Sequence, residues 1–436
     1  MSIPTTSEPK ENHASEEKLI RAVGFKGVVA LTINGVIGAS IFVMPANAAH
    51  MLGPASPIAF IGAGALAMIV AACFAELGGK FERTGGAYIY AVEAYGGAVA
   101  FVIGWMYFLG RLTSVAALSN ALVGFAGYFI ITASPLREIL IVAVLVVLGL
   151  INILGIRFST GMINLLTGLK MTALLVFIIV GIFFVRWGVF SSVRFPPMND
   201  LMATLLLVIF AFSGFEVIAI PGAEIIEPKR NLPLGLLIGT AITIVVYLLI
   251  QIVAIGTFPG LASSSAPLAQ ASELFLGRSG GAFLTAAAVF STIGTLVSIL
   301  LVGPRILYAM SLHRQLPSFL SKVHPRYRTP YLAIIFFTIV GTVWSVSSTF
   351  QDLAIVSVMA RLITYIGTAA AVLILRKKIP SPGTFRIPGG PLIPVLTIVA
   401  SVTILSASSR KHIITGTIAL LVGFAMYFVA VKSIKR

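Results

Sequence analysis

The sequence predicts an all-α integral membrane protein with 12 transmembrane helices. Three observations carry that reading. Of the 436 residues, 58% are hydrophobic and only 10% are charged, against roughly 25% charged in a soluble globule. Apolar runs of the roughly 20 residues that a spanning helix needs recur along the whole chain. Prolines fall in the joints between the runs, where a missing N–H costs least.

The runs lie at 27–50, 57–79, 95–131, 137–155, 160–185, 201–226, 232–258, 281–310, 331–349, 353–375, 391–408 and 413–431. The third is long enough for a tilted helix plus an interfacial piece. Pro54 and Pro57 part the first two runs, and Pro196, Pro197, Pro228, Pro233 and Pro330 mark later joints. Trp105, Trp187 and Trp344 are candidate interfacial anchors. Residues 1–24 are polar and lack the apolar core of a secretion signal. They read as a disordered cytoplasmic tail, and 432–436 as a second cytoplasmic tail.

The net charge is +16, from 30 Lys and Arg against 14 Asp and Glu. In a soluble chain such a balance suggests nucleic acid. Here the basic residues sit between apolar runs and sort by side. With the N-terminus inside, 21 of the 30 fall on cytoplasmic segments and 6 on outer ones. Both termini are therefore expected in the cytoplasm, with the charge facing anionic membrane lipids rather than nucleic acid. Cys73 is the only cysteine, which excludes an intramolecular disulfide and a thiolate metal cluster. No H-E-x-x-H or G-x-S-x-G occurs, so the usual hydrolase signatures are missing, and no metal or cofactor is expected.

Two runs are interrupted in matching places. The first reads Thr32-Ile33-Asn34-Gly35-Val36-Ile37-Gly38-Ala39-Ser40-Ile41-Phe42, and the sixth reads Phe210-Ala211-Phe212-Ser213-Gly214-Phe215-Glu216. If each group of five spans is one repeat, these two positions correspond, which is the sequence sign of a mid-membrane site. A helix broken in the bilayer frees N–H and C=O groups that must face protein or a wet cavity. A half-helix starting near Ser40 aims N–H groups and a positive dipole end at the midplane, which suits a carboxylate. Half-helices ending near Asn34–Val36 and Phe210–Phe212 leave carbonyls that suit an ammonium. Both features together fit an α-amino acid zwitterion. The alternative is that these glycines only allow close helix packing.

Four segments in order resemble the amino acid–polyamine–organocation (APC) superfamily over about residues 24 to 378. Ile37-Gly38-Ala39-Ser40-Ile41-Phe42 is similar to its I-G-S-G-I-F. Ala75-Glu76-Leu77 with Thr84-Gly85-Gly86-Ala87-Tyr88 resembles its A-E-L and S-G-G-A-Y. Phe210 to Glu216 with Glu227-Pro228-Lys229-Arg230-Asn231-Leu232-Pro233 resembles its F-A-F-x-G-x-E and N-P-x-R-x-x-P. Gly303 to Met310 with His324-Pro325-Arg326 resembles the end of its eighth span and the following loop.

The resemblance implies a 5+5 inverted repeat, with discontinuous first and sixth helices and two further C-terminal helices. The repeats would cover 25–190 and 195–378, and the last two helices 388–431. It implies that Ala39, Ser40 and Ile41 offer N–H groups to a substrate carboxylate, across Gly38 from the ammonium acceptors. Val36 and Ile37 supply those carbonyls, joined by Phe210, Ala211 and Ser213, with Phe210 also placed as an aromatic cover. Ser40 departs from the family's second glycine, which narrows the approach and favours small substrates.

Three charged residues in the apolar runs, and Glu216, ask for partners. Lys170 lies near mid-depth of the fifth run, at an insertion cost of about 2.5–3.5 kcal/mol. By resemblance it replaces a sodium ion. It is a candidate proton-coupling group reaching carbonyls near Gly35 and a hydroxyl of Ser291 or Thr292, or else a brace for the first span. Glu216 is either a helix cap or, by resemblance, a proton-sensitive gate. Arg111 and Arg361 are expected to pair structurally, with Glu216 as their partner, or to meet an acidic substrate. Glu76 is expected to tie to Arg83.

These readings converge on a secondary active transporter of small amino acids, with proton-coupled symport of neutral L-amino acids by alternating access as the leading form. The expected partners are the amino acid, a proton and membrane lipids, in a plasma or inner cell membrane, with the oligomeric state open. The alternatives are a sodium-independent exchanger, then a channel or membrane substrate sensor. An intramembrane enzyme is disfavoured, because Glu216 has no catalytic companion near it in sequence. Polyamines are disfavoured for want of acidic residues.

Overall fold

The computed structural model describes residues 23–81, 86–130, 133–154, 156–191, 193–219, 225–379 and 383–434. The predicted tail is therefore almost wholly outside the described residues, as are Arg83, Thr84 and Gly85. Among the described residues the secondary structure is helical, apart from one isolated bridge between Val23 and Ile225.

The first apolar run is divided into α1 (Phe25–Val36), a 3-10 turn at Ser40–Phe42, and α2 (Met44–Leu52). A second 3-10 turn holding Pro54 leads into α3 (Ser56–Lys80). The short α4 (Ala87–Tyr95) meets α5 (Gly97–Ala126) at Gly96, whose φ of 82° makes the corner. The interfacial piece expected within 95–131 thus largely precedes that run. α6 (Leu136–Leu154) and α7 (Ile156–Gly181) follow. The sixth run is divided into α8 (Met198–Phe212) and a 3-10 turn at Phe215–Ala219. α9 (Pro228–Thr257) carries Pro228 at its first position, where no N–H is needed.

α10 (Pro267–Leu312) is bent at Gly277, which has φ 67° and ψ −174°. It starts well before the apolar run predicted from 281, because its first arm carries Gln270, Ser272 and Glu273 and so lacks an apolar signature. The chain ends with α11 (Tyr331–Ser347), α12 (Phe350–Lys378), α13 (Leu392–Ser406) and α14 (Arg410–Ile434). Thr349 caps α12 by accepting the Asp352 N–H.

Nine stretches among the described residues are long and apolar enough to cross a membrane, and α1, α11 and α13 are shorter apolar helices. The chain is thus a multi-pass membrane protein. Burial sorts the helices. The most apolar window of α5 is 83% buried, that of α14 only 11%, so α5 is central and α14 presents its sides to lipid. α3 packs on α9, α5 on α12 and α10, and α1 on α9. At that last contact, Gly235 and Gly239 let α9 approach Val28 and Thr32 closely. Cys73 of α3 is fully buried, 3.7 Å from the Thr397 hydroxyl of α13.

Candidate functional site

Both predicted interruptions exist, and they touch. α1 stops at Val36. Ile37 leaves helical geometry at ψ 85°, and the Gly38 N–H turns back to the Val36 carbonyl at 2.8 Å. α8 stops at Phe212, with Ser213 extended at ψ 143° and Gly214 at φ 129°. A Cβ on Gly214 would lie 2.0 Å from the Gly35 oxygen, and one on Gly35 would lie 2.8 Å from the Gly214 oxygen. Two unwound backbones meet here at a distance that side chains would prevent.

The carbonyls freed at the first break have protein donors. The Lys170 ammonium of α7 donates to the Asn34 oxygen at 3.2 Å and to the Ile37 oxygen. Thr167 holds the Asn34 side chain at 2.6 Å. Lys170 is 2% exposed, and no ion pair to it is found among the described residues. It thus reaches the carbonyls flanking Gly35, as expected. The expected hydroxyl contact is not formed: Thr292 donates to Ala288, and the buried Ser291 hydroxyl has no partner.

Sequence reasoning missed Tyr247. Its hydroxyl, from α9, donates to the Val36 oxygen at 2.9 Å, and its ring lies 5.0 Å from that of Phe212. One side chain therefore bridges the first break to the end of α8. The only signal in the sequence was a phenol inside an apolar run, which needs a partner for its O–H.

The residues expected to hold substrate are gathered around this junction. Val36, Ile37, Ala39, Ser40 and Ile41 are at most 4% exposed, as are Phe210 and Ala211. The Phe210 oxygen accepts the Ser213 hydroxyl at 2.7 Å, and the Phe210 ring packs edge-on against Phe350 at 5.8 Å. In this conformation the expected ammonium acceptors Val36, Ile37 and Phe210 all serve protein donors, and the region is closed to solvent. Where α2 meets the start of α12, Gln351 donates to Asn47 at 2.6 Å.

Glu216 follows the second break and is fully buried. One of its oxygens accepts the Gly214 N–H at 2.9 Å; the other is shared by Arg111 of α5, at 2.8 Å, and Arg361 of α12. Both arginines thus pair with Glu216 rather than standing free. Arg111 also reaches the Tyr107 hydroxyl at 3.2 Å, and Arg361 reaches Ser114 at 2.8 Å and Ser357 at 3.3 Å. The cluster joins three helical elements across the core and carries one net positive charge. Removing the carboxylate, which leaves both buried guanidiniums uncompensated, costs about 3–5 kcal/mol.

The expected tie of Glu76 to the Arg83 loop lies outside the described residues; within them Glu76 has a partner that was not foreseen. Its carboxylate is gripped by Arg376 of α12 at 2.8 and 2.6 Å and accepts the Ile387 N–H at 2.9 Å. A planar guanidinium fits both carboxylate oxygens at once, and the sequence distance from 76 to 376 hid the pairing.

The profile of the amino acid permease family matches residues 23–432. Among curated proteins, the chain is similar to the branched-chain amino acid permease BcaP of Bacillus subtilis (strain 168), at 27% identity over 95% of this chain and 94% of that protein. It is 26% identical to the serine/threonine exchanger SteT of the same organism, over 95% of this chain and 97% of the relative. A methylthioribose transporter, also from that organism, is 27% identical over 89% of each chain. These relatives are transporters, and none is named as an enzyme. With nearly its whole length matched, the chain belongs to the amino acid permease family, a group of membrane transporters within the superfamily that its motifs resemble.

Proposed function

We propose that the protein is a secondary active transporter of small neutral L-amino acids, driven by proton symport and working by alternating access. The observation that carries this is the contact of two broken helices at Gly35 and Gly214, with backbone N–H groups on one side and carbonyls on the other. Ala39, Ser40 and Ile41 bind the carboxylate, while Val36, Ile37, Phe210, Ala211 and Ser213 receive the ammonium. Substrate entry displaces the internal donors that serve those carbonyls here. Lys170 is the proton-coupling group, and Glu216 with its two arginines is the gate. The architecture that goes with this reading has 12 spans, in repeats over 25–190 and 195–378. The final helices cover 388–431, and both termini face the cytoplasm of a plasma or inner membrane.

Exchange is the second reading, favoured by the similarity to a serine/threonine exchanger. Proteoliposomes separate the two. An inwardly directed proton gradient should drive uphill uptake of labelled amino acid, and a protonophore should abolish it. Uptake that ignores the gradient and needs amino acid inside the vesicle favours exchange. Flux of methylthioribose with none of any amino acid would overturn both.

A further inference from the structure

At the mouth where α2 meets α12, the first turn of α12 makes a different contact at each residue. Thr349 caps it, the Phe350 ring packs on Phe210 at 5.8 Å, and Gln351 closes on Asn47 of α2. The next residue, Asp352, is tied to α14. Its Oδ1 lies 3.4 Å from the Lys411 ammonium and 3.7 Å from Nε2 of His412. Lys411 is 75% exposed, so its share is small. His412 is set differently: its side chain is 15% exposed, and Nε2 is buried with no hydrogen-bond partner. The ring is held in place, because Nδ1 pairs with the Ser409 hydroxyl at 2.7 Å and the His412 N–H reaches the same hydroxyl at 3.4 Å.

A neutral imidazole has one N–H for two ring nitrogens, and a protonated one has two. With both present, Nδ1 donates to Ser409 and Nε2 is drawn to Asp352, so an ion pair replaces an unsatisfied contact. The rest of the surroundings oppose that charge. Arg410, Lys411 and the N-terminal end of α14 all disfavour a cation at position 412. α5, which also packs on α14, carries Arg111 and Tyr107, both engaged at the Glu216 cluster. Deeper in α12, Arg361 is engaged there too. His50 of α2 and Asp200 of α8 are exposed. Asp352 is the only ion-pair partner of His412 among the described residues.

We propose that His412 and Asp352 form a proton-operated catch on the α2–α12 mouth, engaged in acid and released as the pH rises. Asp352 is the neighbour of Gln351, so an α12 that swings away from Asn47 also carries Asp352 off His412. An arrangement that keeps the two together binds the proton more tightly than one that parts them. By reciprocity, acid favours the closed mouth. Histidine is the side chain that changes charge between about pH 5 and 8, which sets the working range. The catch is separate from Lys170. The Lys170 proton is assigned to travel with substrate, whereas the His412 proton stays and sets how often the mouth opens. The transport reading enters only in what the mouth admits.

The test uses the full chain in lipid nanodiscs, with nitroxides on Met51→Cys of α2, an exposed site, and on Ser348→Cys beside the α12 cap. Dipolar broadening at about pH 5.5 and about pH 8 gives the ratio of close to distant probes. With His412 and Asp352 intact, that ratio should be about two- to fivefold higher in acid, the worth of a partly exposed ion pair. His412→Gln and Asp352→Asn should each remove the dependence, and His412→Lys should hold the acid ratio at both pH values. A ratio that ignores pH, or a dependence that survives His412→Gln, overturns the catch. Proteoliposomes carrying His412→Gln should still accumulate labelled amino acid down a proton gradient, because His412 touches neither break. Loss of accumulation there overturns the separation from Lys170. If the wild type moves no amino acid while its probes still answer to pH, the transport reading falls and the catch stands.

Discussion

At the first break an ammonium sits on backbone oxygens; at the second a carboxylate receives a backbone N–H. Lys170 and Glu216 thus do complementary work at the two interruptions. They differ in what balances their charge. Lys170 has no ion-pair partner among the described residues and relies on the Asn34 and Ile37 carbonyl dipoles. Glu216 is matched twice over, by Arg111 and Arg361, each donated by a different helix. The second break is therefore cross-linked by fixed charges, while the first is held by a group whose only ties are to backbone. A group of the first kind locks an arrangement. A group of the second kind can let go of it, which is why Lys170 rather than Glu216 is assigned the coupling proton.

Five substitutions test this contrast. The largest effect is expected from Glu216→Gln, which leaves two guanidiniums facing each other in the core. It should cost about 3–5 kcal/mol, read as a large drop in melting temperature in detergent. Arg361→Met, which keeps the Arg111–Glu216 pair, should cost visibly less. Wild-type melting in Glu216→Gln would end the idea of a charge cross-link. Gly214→Ala comes next, because the added Cβ would lie 2.0 Å from the Gly35 oxygen and the residue has φ 129°. The two breaks must part, at about 1–3 kcal/mol for the strained backbone alone, and uptake should fall at least as steeply as stability.

Lys170→Met should cost about 1–3 kcal/mol, since two buried carbonyls lose their donor. Its distinctive signature is functional. Accumulation driven by a pH gradient should vanish, while exchange of internal for external substrate persists. Unchanged gradient-driven accumulation would reassign Lys170 as a brace. Tyr247→Phe should be mildest, at about 1 kcal/mol for one hydrogen bond to Val36, seen as a small melting shift.

The parts of this site that could be read in advance were those with a local cause. Asn34-Gly35 and Ser213-Gly214 break helical pattern within a few residues, and a lone lysine or arginine in an apolar run stands out by its insertion cost. The contacts that depend on helix packing could not be read this way. Tyr247 lies in an otherwise ordinary apolar stretch, and only the approach of α9 to α1 brings it to Val36. Glu76 receives Arg376 and Ile387, far along the chain, only through the packing of α3 beside α12 and α13. The first arm of α10 escaped notice because its polar residues hide a helix from a test based on apolar length. The predicted repeat boundaries concern relations between whole helices, and no single residue pattern carries them.

Cys73 offers a practical opening. It is the chain's single thiol and lies fully buried against Thr397. Maleimide or nitroxide reagents added to the folded protein therefore meet no competing native target. Asn47→Cys and Gln351→Cys would place a probe pair where α2 meets α12, a junction now closed by a 2.6 Å contact. The spread of probe separations in a lipid bilayer would then report directly how often that face of the carrier stands open.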